Sequence, residues 1–470
     1  MAETGQQVEV GWRSFGAVWR SGAQAMRPGL FAGRRVLGSA IARDAAWSFG
    51  LKIVYTGLSF LVTVFLARLL GAEGYGIYSY SFALVTLLAL PAQAGLPILM
   101  VRETARGMAQ GRPELVQGIW RWAGRFTGLL SVALAVLLGP LILLWRGGLG
   151  TMEGLTMAWA LLLVPLVALG NLRGAALRGL QKVVAGQVPE FVLRPGLLLV
   201  LVGVLALAAR TQLAASQAMA AHVLAAALAF AAGAWLLWRG TPVAVRRAHP
   251  YREGQAWLAS MMPLALLAGM QVINQQASIL ILGLFGPADQ VGIYRVAVQM
   301  AMLASFALDP INVVVAPRFA RLHARGEIAA LQRLATASAR LVLGLNLVAT
   351  VGFVLLAEPF LGLVFGSAYV AAYAPLLILL VGQFVNSAVG PVGFLLNMTG
   401  HERDSARAVA IAAAVNGALN LLLVPIWGSN GAAMAAAVSV IASNALLCWA
   451  VRKRLGINTL AFGPSVARVP

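Results

Sequence analysis

Acidic side chains are scarce: 15 aspartates and glutamates stand against 35 lysines and arginines, and the four charged types together make up only 11% of 470 residues. Soluble globular domains carry roughly 25%, so a soluble core of this composition could not be solvated. Cysteine is reduced to Cys448, inside a late apolar stretch, which excludes a disulfide framework or a cysteine metal site within the chain. The histidines, His222, His249, His323 and His401, lie on distant segments. No zinc spacing, nucleophile elbow or GxxxxGK loop followed by Ser or Thr is present, which argues against the common enzymatic chemistries and against ATP hydrolysis. The net charge of +20 would suit nucleic acid if the basic residues clustered on a solvated domain. They punctuate apolar runs instead, so neither a nucleic-acid partner nor a cofactor is expected.

What fills the chain is apolar: 60% hydrophobic residues and a mean hydropathy of +0.84. Apolar segments lie at 47–69, 75–99, 122–145, 154–171, 187–208, 213–238, 257–285, 291–316, 336–357, 374–397, 405–426 and 430–451. Each can cross a hydrocarbon layer about 30 Å thick as a helix. Prolines such as Pro91, Pro195, Pro310 and Pro391 interrupt several, so kinked spans are expected. Residues 1–45 form a basic extension without a continuous apolar core, hence without a cleavable signal. There, Trp12, Phe15 and Trp19 recur at helical spacing, fitting either an interfacial helix or a disordered basic tail.

Twenty-seven of the 35 basic residues fall before the first span, in alternate loops or after the last span, including Arg173, Arg178 and Lys182 between the fourth and fifth. The other loops hold only Arg68, Arg146 and Arg210. The positive-inside rule therefore puts both termini in the cytoplasm of a multi-pass plasma (inner) membrane protein. An internal repeat supports an even division. ARLLGAEGYGIYSYSFALVTLLALP is echoed by LGLFGPADQVGIYRVAVQMAMLASFALDP, with Gly76-Ile77-Tyr78 matching Gly292-Ile293-Tyr294 and Arg102 taking the place of Arg318. The match falls after the first span of each half, so two six-helix lobes of like orientation are expected, related by an axis along the membrane normal. The lobes would be 46–238 and 257–455, joined by a cytoplasmic linker at 239–256 and followed by a tail at 456–470.

Polar residues inside the spans mark where chemistry can occur. Lys52, Thr56, Ser59 and Thr63 share one helical face, as do Gln271, Asn274, Gln275 and Ser278 on the seventh span. Registering Gly71 on Gly286 superposes Thr56 on Gln271, Ser59 on Asn274 and Thr63 on Ser278. Such paired stripes suit a shared hydrophilic space between lobes; interhelical hydrogen bonding is the other reading. On the eighth span Arg295, Gln299, Met302, Phe306 and Asp309 share a face, with Arg295 and Asp309 about 21 Å apart. Asp309 is a candidate for binding a coupling proton or sodium ion, or for neutralising a neighbouring arginine. Lys52, Arg125, Arg194 and Arg340 fall in the cytoplasmic third of their spans, where they could attract a phosphate or snorkel to the headgroups. Glu190, four residues before Arg194, could pair with it, and His222 reads first as a packed neutral histidine.

The segment FLARLLGAEGYGIYSYSFALVTLLALPAQAGLPILMVRETARG resembles the first two helices of polysaccharide-biosynthesis flippases, the O-antigen and exopolysaccharide translocators. They belong to the superfamily that also holds multidrug and toxin extruders and the lipid II flippase. The resemblance covers residues 44–455. It implies an all-α polytopic fold of about 12 spans in two pseudo-repeated six-helix lobes forming a V-shaped carrier. It further implies a central cationic cavity and translocation of an undecaprenyl-diphosphate-linked oligosaccharide, powered by a proton or sodium gradient or the membrane potential. Lys52, Arg194 and Arg295 would contact the diphosphate; membrane lipids, and glycan polymerase or chain-length proteins, would be the partners. A drug or cation antiporter of the same superfamily is the runner-up, though it would favour carboxylates over arginines in the cavity. A membrane glycan polymerase or ligase is a third reading, against which the outer loops are short.

Overall fold

The computed structural model describes residues 31–208, 212–251, 253–306 and 308–462; for residues 31–46, 267, 308–310, 313 and 314 it describes the backbone alone. The chain divides into two compact units, Met1–Gly50 and Leu51–Pro470. In the first, residues 31–50 are helical, and the aromatic stripe at Trp12, Phe15 and Trp19 lies outside the described residues. All that follows concerns the second unit.

The described residues are helical without strands. In chain order the helices are α1 (Phe31–Gln93), α2 (Leu96–Ala109), α3 (Pro113–Trp145), α4 (Met152–Gly179), α5 (Val183–Val188), α6 (Arg194–Ala208), α7 (Ala215–Gly240), α8 (Val243–Arg247), α9 (Gly254–Phe285), α10 (Ala288–Ala304), α11 (Leu308–Ala324), α12 (Ile328–Val364), α13 (Tyr373–Val389), α14 (Val392–Met398) and α15 (Glu402–Leu455). Among the described residues nine helical segments are long and apolar enough to cross a membrane. Two of them, Trp47–Gln93 with 47 residues and Glu402–Leu455 with 54, measure about 70 and 80 Å, more than twice a hydrocarbon core. With α10 the count is compatible with twelve crossings.

The sequence places breaks between spans at 70–74 and 427–429, and α1 and α15 are each two helices joined directly at those positions. One residue in each breaks the helical path: Gly71 at φ 69, ψ 178 and Gly428 at φ 53, ψ −128. A side chain would be strained there, so glycine lets the chain reverse its course without a loop. The eighth span differs in the opposite sense. Expected as one helix, it stops at Ala304 and resumes at Leu308. Ser305 turns its hydroxyl back onto the Ala301 and Met302 carbonyls, and Pro310 supplies no N–H to continue the ladder. The common face drawn from Arg295 to Asp309 is therefore interrupted.

Two ends can be distinguished by charge: an arginine-poor end at the turns near Gly71, Arg146, Gly286, Gly366 and Gly428, and an arginine-rich end opposite. At the arginine-poor end one apolar cluster runs across both lobes, from Leu66, Tyr75 and Met157 to Ile279, Tyr294 and Leu361. Toward the arginine-rich end the buried clusters separate. One holds Leu96, Ile119 and Leu172 with Trp257 of α9; another holds Phe319, Leu331 and Val451. The repeat explains the junction. Gly76 faces the Ala288 carbonyl and Gly292 faces the Ala72 carbonyl, and a Cβ on either glycine would lie 3.1 Å from the other's backbone nitrogen. Equivalent backbones meet about the pseudo-axis, in the manner of an isologous contact, and only glycine permits the approach.

Replacing Gly76 by alanine puts a methyl group into the Ala288 carbonyl, whereas Gly57 has nothing within 4 Å of its missing Cβ. Gly76→Ala should lower the melting temperature of the purified protein by several degrees, an overpacking cost of about 1–3 kcal/mol. Gly57→Ala should leave it unchanged or slightly raised. Equal melting in both variants, read by fluorescence-detected gel filtration after heating, would remove the glycine contact as a determinant of the closed end.

Candidate functional site

Three cations proposed from sequence stand at three depths. Counted along their helices at 1.5 Å per residue, Lys52 lies about 28 Å from the Gly71 kink, Arg194 about 21 Å from Ala208, and Arg295 about 10 Å from Ala288. The fifth span begins at Val183, not 187, so Arg194 sits near its middle and not in its terminal third. Lys52 is exposed, while Arg194 and Arg295 are half-buried. Tyr55, one turn beyond Lys52, packs its ring 4.9 Å from Phe191, which brings the Lys52 face beside the segment that carries Arg194.

That segment is a π-helical turn, Pro189–Leu193, set between α5 and α6. The extra residue in the turn re-aims Glu190, and π-turns of this kind are frequent at functional sites. Glu190 pairs with two arginines: Oε2 lies 3.2 Å from Arg194 Nη1 as an ion pair, as the spacing suggested, and Oε1 accepts from Arg173 Nη2 at 3.2 Å. Arg173 had been assigned to a topology-setting loop. The structure places it within α4, 4% exposed, because α4 continues to Gly179 instead of ending near 171.

Arg295 and Arg194 come from different lobes. Tyr78, the repeat partner of Tyr294, hydrogen-bonds His222 Nδ1 at 2.7 Å in a buried site, with Phe82 packed 5.0 Å from the imidazole. His222 is thereby a packed, hydrogen-bonded ring. Arg125 is exposed, and Arg340 donates to the Ala461 carbonyl at 2.9 Å, tying α12 to the chain's last described segment.

The polar stripes divide. Thr56 and Thr63 donate to the carbonyls of Lys52 and Ser59, four residues back, the usual resting place for a helical threonine. Ser59 is half-buried. On α9, Gln271 and Gln275 are exposed, and Ser278 is buried beside Tyr294, to which it hydrogen-bonds. Asn274 accepts from Asn416 Nδ2 at 2.8 Å, and Asn420 donates to Asn416 in turn; this ladder joins α9 to α15. Gln299 is buried on α10. The Asp309 side chain lies outside the described residues, as does Arg210.

Sequence reasoning treated Arg68 and Arg146 as residues merely tolerated at the arginine-poor end. Both reach across the lobes. Arg146 pairs with Glu153 at 3.0 Å, lies 4.3 Å over the Tyr80 ring and donates to the Gly283 carbonyl at 3.0 Å. Arg68 donates to the carbonyls of Leu363 and Val364. In each case an arginine of the first lobe meets carbonyls at or near the C-terminal end of a helix of the second, where the backbone is electron-rich and short of donors. Tyr369 adds a reciprocal contact, its hydroxyl facing the Ala67 and Gly71 carbonyls. The sequence signal was present: an arginine kept at an end otherwise stripped of them, with Glu153 seven residues on.

Among the described residues no group of three or more His, Cys, Asp or Glu could hold a metal ion. A two-lobed, all-helical fold of apolar spans, packed across the lobes at one end, is that of multi-pass membrane transporters. Residues 41–323 match the family model for polysaccharide biosynthesis proteins, and the chain belongs to that family. It is 22% identical over 407 residues to a protein described as a probable low-salt glycan biosynthesis flippase, Agl15, of Haloferax volcanii, covering 86% of this chain and 82% of that one. Its fold is that of an inward-facing multidrug resistance MATE transporter of the MOP superfamily (TM-score 0.72, 15% identity, 86% and 94% of the two chains). It is likewise that of the lipid II flippase MurJ in an inward closed conformation (0.69, 12%, 87% and 87%).

If the arginine-poor closure depends on these contacts, removing both arginines should open it. Loss of the charge-assisted hydrogen bonds, about 1.5–3 kcal/mol each, should shift the balance at least tenfold. In a Cys448→Ser background, oxidative cross-linking of Ala72→Cys with Ala288→Cys should be efficient and should fall sharply when Arg68→Ala and Arg146→Ala are added. An unchanged yield would leave the glycine contact as the whole closure.

Proposed function

We propose that this protein is a transporter that moves an undecaprenyl-diphosphate-linked oligosaccharide, an O-antigen or exopolysaccharide repeat unit, from the cytoplasmic to the outer leaflet by alternating access. The observation that carries this reading is Arg194, half-buried near the middle of its span and paired with Glu190, which also holds Arg173, in a member of the polysaccharide biosynthesis family. Guanidinium is well matched to phosphate oxygens. On the positive-inside rule the arginine-rich end is cytoplasmic, both termini lie there, and the membrane is the plasma (inner) membrane.

In this reading Lys52 meets the diphosphate at the cytoplasmic mouth, and Arg194 and Arg295 hold it deeper between the lobes. The polyprenyl chain stays in the bilayer. Gln271 and Gln275, exposed on α9, offer amide donors and acceptors to sugar hydroxyls. With the arginine-poor end sealed, loading proceeds from the cytoplasm, and release requires the contacts of Arg68 and Arg146 to break. The protein acts without an organic cofactor and without enzymatic chemistry, drawing on a proton or sodium gradient or the membrane potential; Asp309 is the candidate coupling site. Glycan polymerases and chain-length proteins would receive the product.

The antiporter reading is weaker for a specific reason. An organic cation needs an anionic cavity, and the spans' clearest described carboxylate, Glu190, is held between two arginines.

Arg194→Ala and Arg295→Ala should each reduce transport of a diphosphate-linked glycan in proteoliposomes by ten- to a hundredfold, the equivalent of about 1.5–3 kcal/mol for one charged hydrogen bond. Arg194→Lys should retain an intermediate rate. Glycan translocation at the parental rate in both alanine variants would overturn the proposal.

A further inference from the structure

Arg173 is the most enclosed cation for which a partner has been described, and the proposed transport cycle gives it no task. Its side chain is 4% exposed, and its guanidinium is almost fully committed. Nη1 donates to the carbonyls of Ala229 at 3.1 Å and Phe230 at 2.7 Å, Nη2 to Glu190 at 3.2 Å, and the Phe230 ring lies 5.4 Å from Cζ. Two glycines make the space. A Cβ at Gly233 would fall on the Arg173 guanidinium, and one at Gly170 would lie 2.6 Å from Glu190 Oε1. The π-turn supplies the third element, since it presents Glu190 toward α4 while keeping Arg194 on its other carboxylate oxygen.

The charges decide what this arrangement does. Glu190 alone with Arg194 would make a neutral pair, and a neutral pair near the middle of the membrane attracts no anion. Arg173 changes the sum. Being the deeper of the two arginines, 4% exposed against 19% for Arg194, it compensates the carboxylate from the protein side. The remaining positive charge then resides on the guanidinium nearer to solvent.

We propose that Arg173 is a positioning residue that neutralises Glu190 from behind, so that Arg194 stays oriented by the carboxylate while its charge remains available to an isoprenyl diphosphate. The proposal rests on the reading of Arg194 as a diphosphate contact. Glu190 aims the cation, and Arg173 prevents the aiming group from cancelling it. Direct aiming by a carboxylate otherwise trades orientation against charge, and the third member removes that conflict.

The test measures binding of geranylgeranyl diphosphate to the full chain in nanodiscs, alongside thermal melting of each variant. Arg194→Ala should weaken binding at least tenfold. Arg173→Met should do the same although it leaves Arg194 in place, because Glu190 then neutralises it. Adding Glu190→Gln to Arg173→Met should restore affinity to within about threefold of the parent, a recovery that a merely structural role for Arg173 does not produce. Full affinity in a folded Arg173→Met variant, or no recovery in the double variant, overturns the proposal. Should Arg173→Met fail to fold, Glu190→Gln alone decides. Equal or tighter binding supports a carboxylate that subtracts charge, and a tenfold loss refutes it. If Arg194→Ala binds the probe as well as the parent does, the diphosphate reading falls together with this inference. Loss in Arg194→Ala with intact binding in Arg173→Met sinks this inference alone.

Discussion

A charge withdrawn from water into a helix bundle must find a fixed counter-charge or an array of dipoles, because the solvation it loses is worth several kcal/mol or more. Much of the interior of this protein follows from how Glu190 meets that requirement. Its carboxylate lies between Arg173 and Arg194, and the backbone around it is shaped to allow this. Pro189 opens a π-turn, Gly170 and Gly233 vacate the volume of two methyl groups, and the Ala229 and Phe230 carbonyls accept from the deeper guanidinium. Glu190 thus ties α4 to the π-turn and α6, and Arg173 extends the tie to α7.

A similar requirement acts at the arginine-poor end with another result. Arg146 is held by Glu153, the Tyr80 ring and a carbonyl near a helix end, and Arg68 by the last carbonyls of α12. These arginines have their charge compensated in place, so they serve as fasteners between lobes. They act where the repeat brings Gly76 and Gly292 together and the apolar core is continuous. Toward the other end the cores divide. There the first turns of α9, through Trp257 and Leu264, keep the contact between the lobes.

Much of the architecture is legible in the sequence because it follows from one-dimensional quantities. Apolar run length places the spans, and the Gly-Ile-Tyr echo reveals the two lobes. The Glu190–Arg194 pair is visible at four residues' spacing. What escapes are features that depend on neighbours distant in the chain. Arg173 lies 17 residues before Glu190, on another helix, and its position at the margin of an apolar run made it resemble a topology-setting loop residue. The breaks near Gly71 and Gly428 are legible as gaps between apolar runs, but their tightness escapes, because a single glycine at positive φ joins two helices there without a loop. The stripe on α9 shows the same limit. Periodicity puts Asn274 on a polar face, but only the approach of Asn416 on α15 turns it into part of an interhelical ladder, while Gln271 and Gln275 on the same helix remain exposed.

The arginines therefore sort by what lies opposite each of them. Where a carboxylate, a ring and a carbonyl converge on one guanidinium, as at Arg146, the charge is spent on structure. In the triplet, two guanidinium groups share one carboxylate, and a net charge survives near the middle of the membrane. Arg295, half-buried on α10, adds a cation from the other lobe. Were Arg194 and Arg295 to face each other across the lobes, as the proposed function requires, their repulsion would grow as the lobes approach. An anion between them would replace that repulsion with two attractions, so occupancy and lobe closure would favour each other. On the proposed reading, this coupling of charge to closure links diphosphate binding to the movement of the two lobes.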